Sequence, residues 1–302
     1  MGINYAYRGY FNGISQPKYY MLSLVFIHIL NMILNYILIF GHLGFSAMGT
    51  DGAAIASAIA TVAGTLVYFS LSLFGLKHLR LFRIRPKWVD MVSVFKLTIP
   101  AGLQQLLIAI GLTSLFWMVG RLGVTEVAAL NILINILMLC ILPGFGFGMA
   151  AATLVGTSLG EQDKRKAKLW AYDVVKVGGA LTFLLGLVLA VFAESILHFF
   201  TQDIATINAA LMPLKVTGLI IFIDVIGVIL MNALLGSGDV KIVLKTSLAF
   251  QWAVFFPLGV VAVVYFEPSL MVVWLLFSVS RLAQGLVYAY VWQTGKWGRA
   301  KI

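Results

Sequence analysis

The sequence predicts an all-α membrane protein, a polytopic bundle in which about eight helices cross the bilayer. Two observations predict this class. Hydrophobic residues fill 61% of the 302 positions and charged residues only 11%, whereas a water-soluble domain carries about a quarter of charged residues. Apolar runs of about 20 residues, the length that crosses a hydrocarbon core about 30 Å thick, recur along the whole chain.

Eight apolar runs are long enough to span the membrane, and the short connections between them make neighbouring helices antiparallel. In the fourth run, Pro143 and the glycines of Gly144–Gly148 predict a kink and close contact with another helix. The predicted spans are Tyr19–Gly41, Ala53–Leu76, Leu97–Val119, Val127–Met149, Trp170–Ala193, Leu211–Leu235, Val243–Phe266 and Leu270–Trp292.

The basic residues predict the orientation of the bundle. One set of alternate connections contains 18 of the 21 lysines and arginines, and the opposite set contains only Arg121. Positive charge resists translocation, so we expect both ends of this chain on the cytoplasmic side of the cell (inner) membrane. The net charge of +10 is then a topology signal rather than a nucleic-acid site. The basic set is Arg8, Lys18, Lys77, Arg80, Arg83, Arg85, Lys87, Lys96, Lys164, Arg165, Lys166, Lys168, Lys176, Lys241, Lys245, Lys296, Arg299 and Lys301.

A weak internal repeat predicts two halves that run in the same direction. The turn-forming segments Gly13–Lys18 and Gly236–Lys241 lie 223 residues apart, and each precedes a long span. If the second half begins near Asp90, the first would begin about 130 residues before Met1, which adds four spans. We therefore expect residues 1–89 to be the end of an N-terminal lobe, with two helices and a basic inter-lobe loop, and residues 90–302 to be a six-helix C-terminal lobe.

Several short motifs occur in order along nearly the whole chain. They are Tyr7–Gly13 with Lys18, Asn31–Tyr36, Ile99–Gln105, Ala129–Asn131 with Asn135, Gly148–Ala150, Gly156–Gly160, Asp224 and Gly236–Asp239. As a set they resemble the multidrug and toxic-compound extrusion (MATE) family of transporters. The resemblance implies two N-lobe helices and a complete C-lobe from a twelve-helix, two-lobe fold.

The resemblance also implies a function. The intact protein would be a secondary active efflux transporter, a cation/organic compound antiporter that exports drugs or other xenobiotics by alternating access. Its partners would be the lipid bilayer, small amphipathic and cationic substrates and the missing N-lobe helices, and it would need no cofactor beyond a coupling ion, H⁺ or Na⁺. Because a cavity between two lobes would be incomplete in this chain, we expect the isolated chain not to transport.

Asp224 is the first candidate for cation coupling. It lies near the middle of its predicted span, where a carboxylate is costly and persists only when it is paired, protonated or bound to a cation. Arg281 lies at a similar depth in the last span, so the two residues could instead form a static charge-neutralising pair. A pair that exchanges with a cation would satisfy both interpretations.

The sequence departs from the resemblance at two positions. Sodium-coupled members usually carry a glutamate eight residues after the proline that matches Pro100, and Ile108 stands there. A tyrosine one turn before the acid is replaced by Ile220. Both differences leave the identity of the coupling ion open.

Two groups of polar residues are candidates for lining a substrate cavity. His28, Asn31 and Asn35 are spaced three and four residues apart, so they share one helical face. The alternative for these residues is interhelical hydrogen bonding. His28 has no second histidine or acid at ligand spacing, so no metal site is predicted. The second group is Gln104, Gln105, Asn131 and Asn135.

Three other functions are alternatives to efflux. An intramembrane enzyme needs clustered acids, a metal motif or a paired nucleophile and base, and the predicted spans contain no such cluster. A lipid-linked oligosaccharide flippase of the same superfamily would need cations in its cavity, for which Arg281 is the main candidate. A non-functional truncated product is the third alternative.

Overall fold

The computed structural model describes residues 2–14, 16–75, 88–266, 268–295 and 297. Within these residues, eight helices are long and apolar enough to cross a membrane, which confirms the predicted fold class. The helices are α1 (Gly2–Gly13), α2 (Pro17–Phe40), α3 (Gly49–Ser70), α4 (Trp88–Gly120), α5 (Val124–Gly160), α6 (Lys164–Val191), α7 (Ala193–Phe200), α8 (Ile204–Gly236), α9 (Val240–Leu248), α10 (Phe256–Tyr265) and α11 (Leu270–Thr294). Two π-helical segments, Leu71–Gly75 and Ala249–Phe255, follow α3 and α9.

The chain divides into two compact units, Met1–Lys87 and Trp88–Ile302. The first unit contains two spans, α2 and α3, together with the short helix α1. An aromatic cluster joins these three helices, in which Phe11 and Tyr68 are buried and their rings lie 5.9 Å apart. The side chain of Asn4 adds a polar contact, because its Oδ1 accepts a hydrogen bond from Thr65 Oγ1 at 2.7 Å.

The second unit contains six spans, and α8 is its most buried helix. It packs against α5, α6 and α11. Small residues allow these close approaches: a Cβ on Gly218 would lie 2.6 Å from the carbonyl oxygen of Gly186, and a Cβ on Gly144 would lie 2.9 Å from Val225 Cγ1. Close packing through small residues is how membrane helices associate when the hydrophobic effect between them is weak. The helix contact predicted for the glycines after Pro143 is therefore confirmed.

The seventh span is built from α9, the π-helical segment and α10, and it runs parallel to α4. Pro257 lies at the start of α10 and has no backbone N–H to donate, which fits the change from π-helical to α-helical bonding there. Gln251 lies in the π-helical segment and donates a hydrogen bond from Nε2 to the carbonyl oxygen of Leu107 at 2.9 Å. Gly111 makes room for this amide, because any Cβ there would overlap it.

Several predicted boundaries were wrong. The run predicted as Val127–Met149 is part of α5, which begins at Val124 and ends at Gly160. The segment from Glu194 to Ala210, expected as a connection, contains most of α7 and the first two turns of α8. Helix α8 begins early because the side chain of Asp203 caps its N-terminus. The predicted inter-lobe loop falls largely on residues 76–87, which lie outside the described residues, as do Lys296, Arg299 and Lys301.

Candidate functional site

The central feature of the candidate site is an ion pair between α8 and α11. Arg281 donates from Nε to Asp224 Oδ1 at 3.0 Å and from Nη2 to Oδ2 at 2.9 Å, so the contact is bidentate. One turn further along both helices, Gly227 lies against Gly285, where a Cβ on Gly227 would lie 2.9 Å from the Cα of Gly285. These glycines hold the helices close enough for the guanidinium to lie flat against the carboxylate.

The two charges differ in their exposure. The side chain of Asp224 is 12% exposed, and that of Arg281 is 32% exposed. A guanidinium that uses two N–H groups on one carboxylate forms one of the stronger charge-assisted contacts in proteins. The carboxylate has about four lone-pair sites and Arg281 uses two of them, so another cation at Asp224 would compete with the guanidinium for the same negative charge. The guanidinium that could have favoured a flippase is neutralised in the same contact.

A small cavity of about 20 Å³ lies beside the ion pair. This volume suffices for about one water molecule. Trp274 forms part of its wall and is held there by a hydrogen bond of 2.8 Å from its Nε1 to Thr217 Oγ1. The lining residues are Leu137, Thr217, Ile220, Ile221, Asp224, Trp274, Phe277, Ser278, Arg281 and Leu282.

A buried polar network lies one to two turns from Arg281 along α11, on the same helical face. Gln284 Nε2 donates to Ser247 Oγ at 3.0 Å and to Tyr288 OH at 2.8 Å. The hydroxyls of Ser247 and Tyr288 are 2.9 Å apart, so the network joins α9 to α11. Sequence reasoning missed these residues; the available signal was the spacing of Arg281, Gln284 and Tyr288 on one face of the last span.

The predicted cavity residues of the second unit fall into two environments. Gln104 is only 5% exposed, and its Nε2 lies 3.5 Å from Ser247 Oγ and from Met231 Sδ. Gln105, its neighbour in sequence, is exposed. Asn131 and Asn135 are exposed too, and Asn135 Nδ2 donates to both the backbone oxygen and the Oδ1 of Asn131 at 2.9 Å.

The predicted cavity residues of the first unit follow the face of α2. Asn35 Nδ2 donates to Asn31 Oδ1 at 3.0 Å, and Asn31 Nδ2 donates across to Ser57 Oγ of α3 at 3.3 Å. His28 lies one turn earlier and is exposed. The amides therefore connect two helices, while the imidazole remains open on the surface of its unit.

Among the described residues, no three or more histidine, cysteine or acidic side chains lie close enough together to hold a metal ion. Chemically, the site offers one carboxylate, one guanidinium and two hydroxyls around a space of about one water molecule.

Comparison with known proteins decides the family. The family model described as MatE matches residues 100–261, which is more than half of the chain and includes Asp224. The chain belongs to the MatE family. With eight apolar helices and this membership, it is a multi-pass membrane protein.

Curated relatives of this MatE chain include multidrug resistance proteins. The "Probable multidrug resistance protein NorM" of Thermotoga maritima is 27% identical over 281 residues, which cover 90% of this chain and 59% of that protein. The protein of the same name from Brucella suis is 27% identical over 308 residues, which cover 97% of this chain and 63% of that protein. The chain thus spans about 60% of the length of these relatives.

Solved structures agree on the fold. A MATE transporter in a straight conformation superposes with a TM-score of 0.86 at 20% identity, covering 96% of this chain and 65% of that one. A transporter of the MOP superfamily from Pyrococcus furiosus gives the same TM-score, identity and coverage. The fold of this MatE chain is therefore that of a large part of a MATE transporter.

Proposed function

We propose that this chain is part of a multidrug efflux transporter that exports small organic compounds in exchange for a cation, by alternating access. The observation that carries the proposal is the bidentate Asp224–Arg281 pair in the membrane-spanning part of a MatE-family chain. Its multidrug-resistance relatives support the substrate class. Both ends of the chain would lie in the cytoplasm, and the protein would reside in the cell membrane.

In this mechanism, Asp224 changes partner. While the carboxylate is bound to Arg281, the pair is electrically neutral and can remain in the low-dielectric interior. A coupling cation and a cationic substrate would compete for the carboxylate. Binding of one would therefore exclude binding of the other. An antiporter requires this property, because each ligand must favour a different access state.

Efflux from cells tests the proposal directly. The chain spans about 60% of its relatives' length, so the assay uses the protein expressed from its natural gene and, separately, the 302-residue chain. We expect the natural gene product to export fluorescent cationic dyes under an ion gradient, and Asp224→Asn to abolish export while the protein still inserts. Asp173→Asn, at an exposed pair with Lys176 on α6, is the matched control and should export normally. Unchanged efflux in the Asp224→Asn protein would contradict the proposed role of Asp224.

A further inference from the structure

A tryptophan that follows the last span is completely buried. Helix α11 ends at Thr294, and Gly295 turns the chain with a φ of +65°, in the left-handed region that favours glycine. After this turn the indole of Trp297 stacks on that of Trp292, with ring centroids 3.9 Å apart and an angle of 4° between the planes. Trp297 is 0% exposed. A side chain as large as tryptophan is rarely buried completely, so its position outside the apolar helices is unusual.

The indole of Trp297 belongs to the hydrophobic core of the second unit. Buried residues of the same cluster include Val155 of α5, Ala167 of α6, Leu234 of α8 and Trp292 of α11. These residues lie near one end of the bundle, where α5, α8 and α11 end and α6 begins. Trp297 therefore closes this end of a core that four helices surround.

Lys164, the first residue of α6, holds the segment after α11 in place. Its Nζ donates to the backbone oxygen of Gly295 at 2.8 Å and to that of Trp297 at 2.6 Å. Carbonyl groups at the C-terminus of a helix lack a partner within the helix, and a lysine is a favourable donor to them. The same ammonium lies 4.9 Å from the centre of the Trp297 ring, which adds a cation–π attraction. One lysine thus contacts both the backbone and the ring.

Two further hydrogen bonds support this contact. Trp297 donates from Nε1 to the carbonyl oxygen of Trp292 at 2.7 Å, so the polar atom of the buried indole has a partner. An N–H group buried without a partner would be costly. Lys168 lies one turn after Lys164 on α6 and donates from Nζ to the backbone oxygen of Gln293 at 3.2 Å. The start of α6 is therefore bonded to the end of α11 at two successive turns.

We propose that the turn after α11 is a lid over this end of the core, in which Trp297 is the plug and Lys164 is the latch. Helices α6 and α11 each pack against α8, and the lid joins them at their ends. It excludes water from the buried small residues below the indole. The plug lies outside residues 100–261, which match the family model, and the lid does not depend on the exchange proposed at Asp224.

Cysteine labelling measures whether the lid is closed. The single cysteine of the chain is first removed with Cys140→Ser. Ala167→Cys then places a thiol beneath the lid, about one turn after Lys164, at a position that is 0% exposed. Ala210→Cys places a thiol at an equally buried position in the other hydrophobic cluster of the second unit. The 302-residue chain in lipid nanodiscs is labelled with a water-soluble maleimide, which reaches both faces of the bilayer.

With Trp297 and Lys164 intact, both cysteines should react slowly. Trp297→Ala should speed the labelling of Ala167→Cys by about tenfold or more and leave Ala210→Cys unchanged, because a buried thiol reacts only after local opening. Labelling of Ala167→Cys that stays slow in the Trp297→Ala protein would overturn the proposal. Faster labelling at both positions would also overturn it, because the tryptophan would then stabilise the whole unit rather than close one end.

Three variants test the latch. Lys164→Gln removes the ammonium and should speed the labelling of Ala167→Cys, whereas Lys164→Arg keeps a cationic donor and should preserve slow labelling. Lys166→Gln is the matched control, since Lys166 pairs instead with Glu161 at 2.6 Å, where both side chains are about half exposed. Equal labelling in Lys164→Gln and Lys166→Gln would show that Lys164 does not hold the lid. These readouts do not require transport, so a failure of the proposed function is recognised separately by the absence of dye export.

Discussion

Helices α2 and α8 are both long apolar spans, but they are packed very differently. Half of the most apolar window of α8 is buried within the protein, compared with 11% for α2. The difference follows from the number of neighbours: α8 packs against α5, α6 and α11, whereas α2 packs against α1 and α3. Small residues permit close approach in both cases, through Gly218 and Gly227 on α8 and through Gly64 of α3 against α2. Apolar content makes a segment insert into the bilayer, and small residues decide how closely other helices can approach it.

The two units also use the same polar spacing differently. Asn31 and Asn35 in the first unit, and Asn131 and Asn135 in the second, are both asparagine pairs four residues apart. In each pair the later amide donates to the earlier Oδ1, at 3.0 and 2.9 Å. Only Asn31 continues the chain of hydrogen bonds to a neighbouring helix, through Ser57. Equal spacing therefore defines a helical face but does not decide whether that face meets a protein partner.

The largest effect on stability is expected at the charge pair of the second unit. Asp224→Asn or Arg281→Gln leaves one charge without its partner, and each should lower the free energy of unfolding by about 3 kcal/mol, the low end for a buried pair because Arg281 is 32% exposed. The double variant removes both charges and should lose less than either single variant. Thermal unfolding in detergent measures the relative stability of the three variants. A double variant less stable than both single variants would contradict this prediction.

The glycine contacts of α8 should give the next effect. Gly218→Ala places a Cβ 2.6 Å from the Gly186 oxygen, and we expect a loss of about 2 kcal/mol from overpacking. Gly146→Ala on α5 is the matched control, since a Cβ there meets nothing within 4 Å. Alanine is favoured over glycine in helices by about 1 kcal/mol, so the control should be neutral or stabilising. In thermal unfolding, Gly218→Ala should be less stable than the wild type and Gly146→Ala should not be.

Substitutions in the two asparagine pairs should change the free energy of unfolding by a smaller amount. Asn31→Ala removes a hydrogen bond between helices and should cost about 0.6 kcal/mol, the average for such bonds in a membrane protein. Asn131→Ala should change stability less, because its pair closes on its own helix, but it should reduce dye efflux if this exposed face contacts substrate. The comparison fails if Asn131→Ala is the more destabilising of the two.

The smallest effect concerns Asp203, the N-cap residue that precedes the apolar span Ile204–Gly236. The hydrogen bond from Thr206 Oγ1 at 2.5 Å, followed by the backbone N–H of Thr206 at 3.1 Å, lowers the pKa of Asp203 below its ordinary value. A lowered pKa means that the stabilisation is present above the ordinary aspartate pKa and is lost as the pH falls through the lowered value.

Two variants check the cap at Asp203. Thr206→Val should raise the pKa of Asp203 towards its ordinary value, which an NMR titration of the labelled carboxyl group measures. Asp203→Asn keeps an oxygen acceptor at the cap but cannot titrate there. The stability difference between wild type and Asp203→Asn should therefore shrink in acid. A difference that is independent of pH would show that the charge of Asp203 does not contribute.

The spans could be predicted because crossing a bilayer imposes one length and one composition on every helix. The ends of the helices could not be predicted, because the bilayer does not limit a helix that extends beyond it. Helix α5, for example, continues eleven residues past the predicted end at Met149. The short helix α7 was missed for a similar reason, since eight residues carry too little periodicity to separate a helix from a connection.

The sequence by itself predicted a membrane protein with eight apolar spans, which the described residues contain, and an acid and an arginine at similar depth, because the energetic cost of polar groups in lipid leaves few alternatives. Tertiary structure alone decided which polar residues meet. Gln104 and Gln105 are neighbours in sequence, yet one is buried near Ser247 and the other is exposed. A helical periodicity defines a face, whereas the rotation of each helix against its neighbours, set by shape and close packing, determines what that face touches.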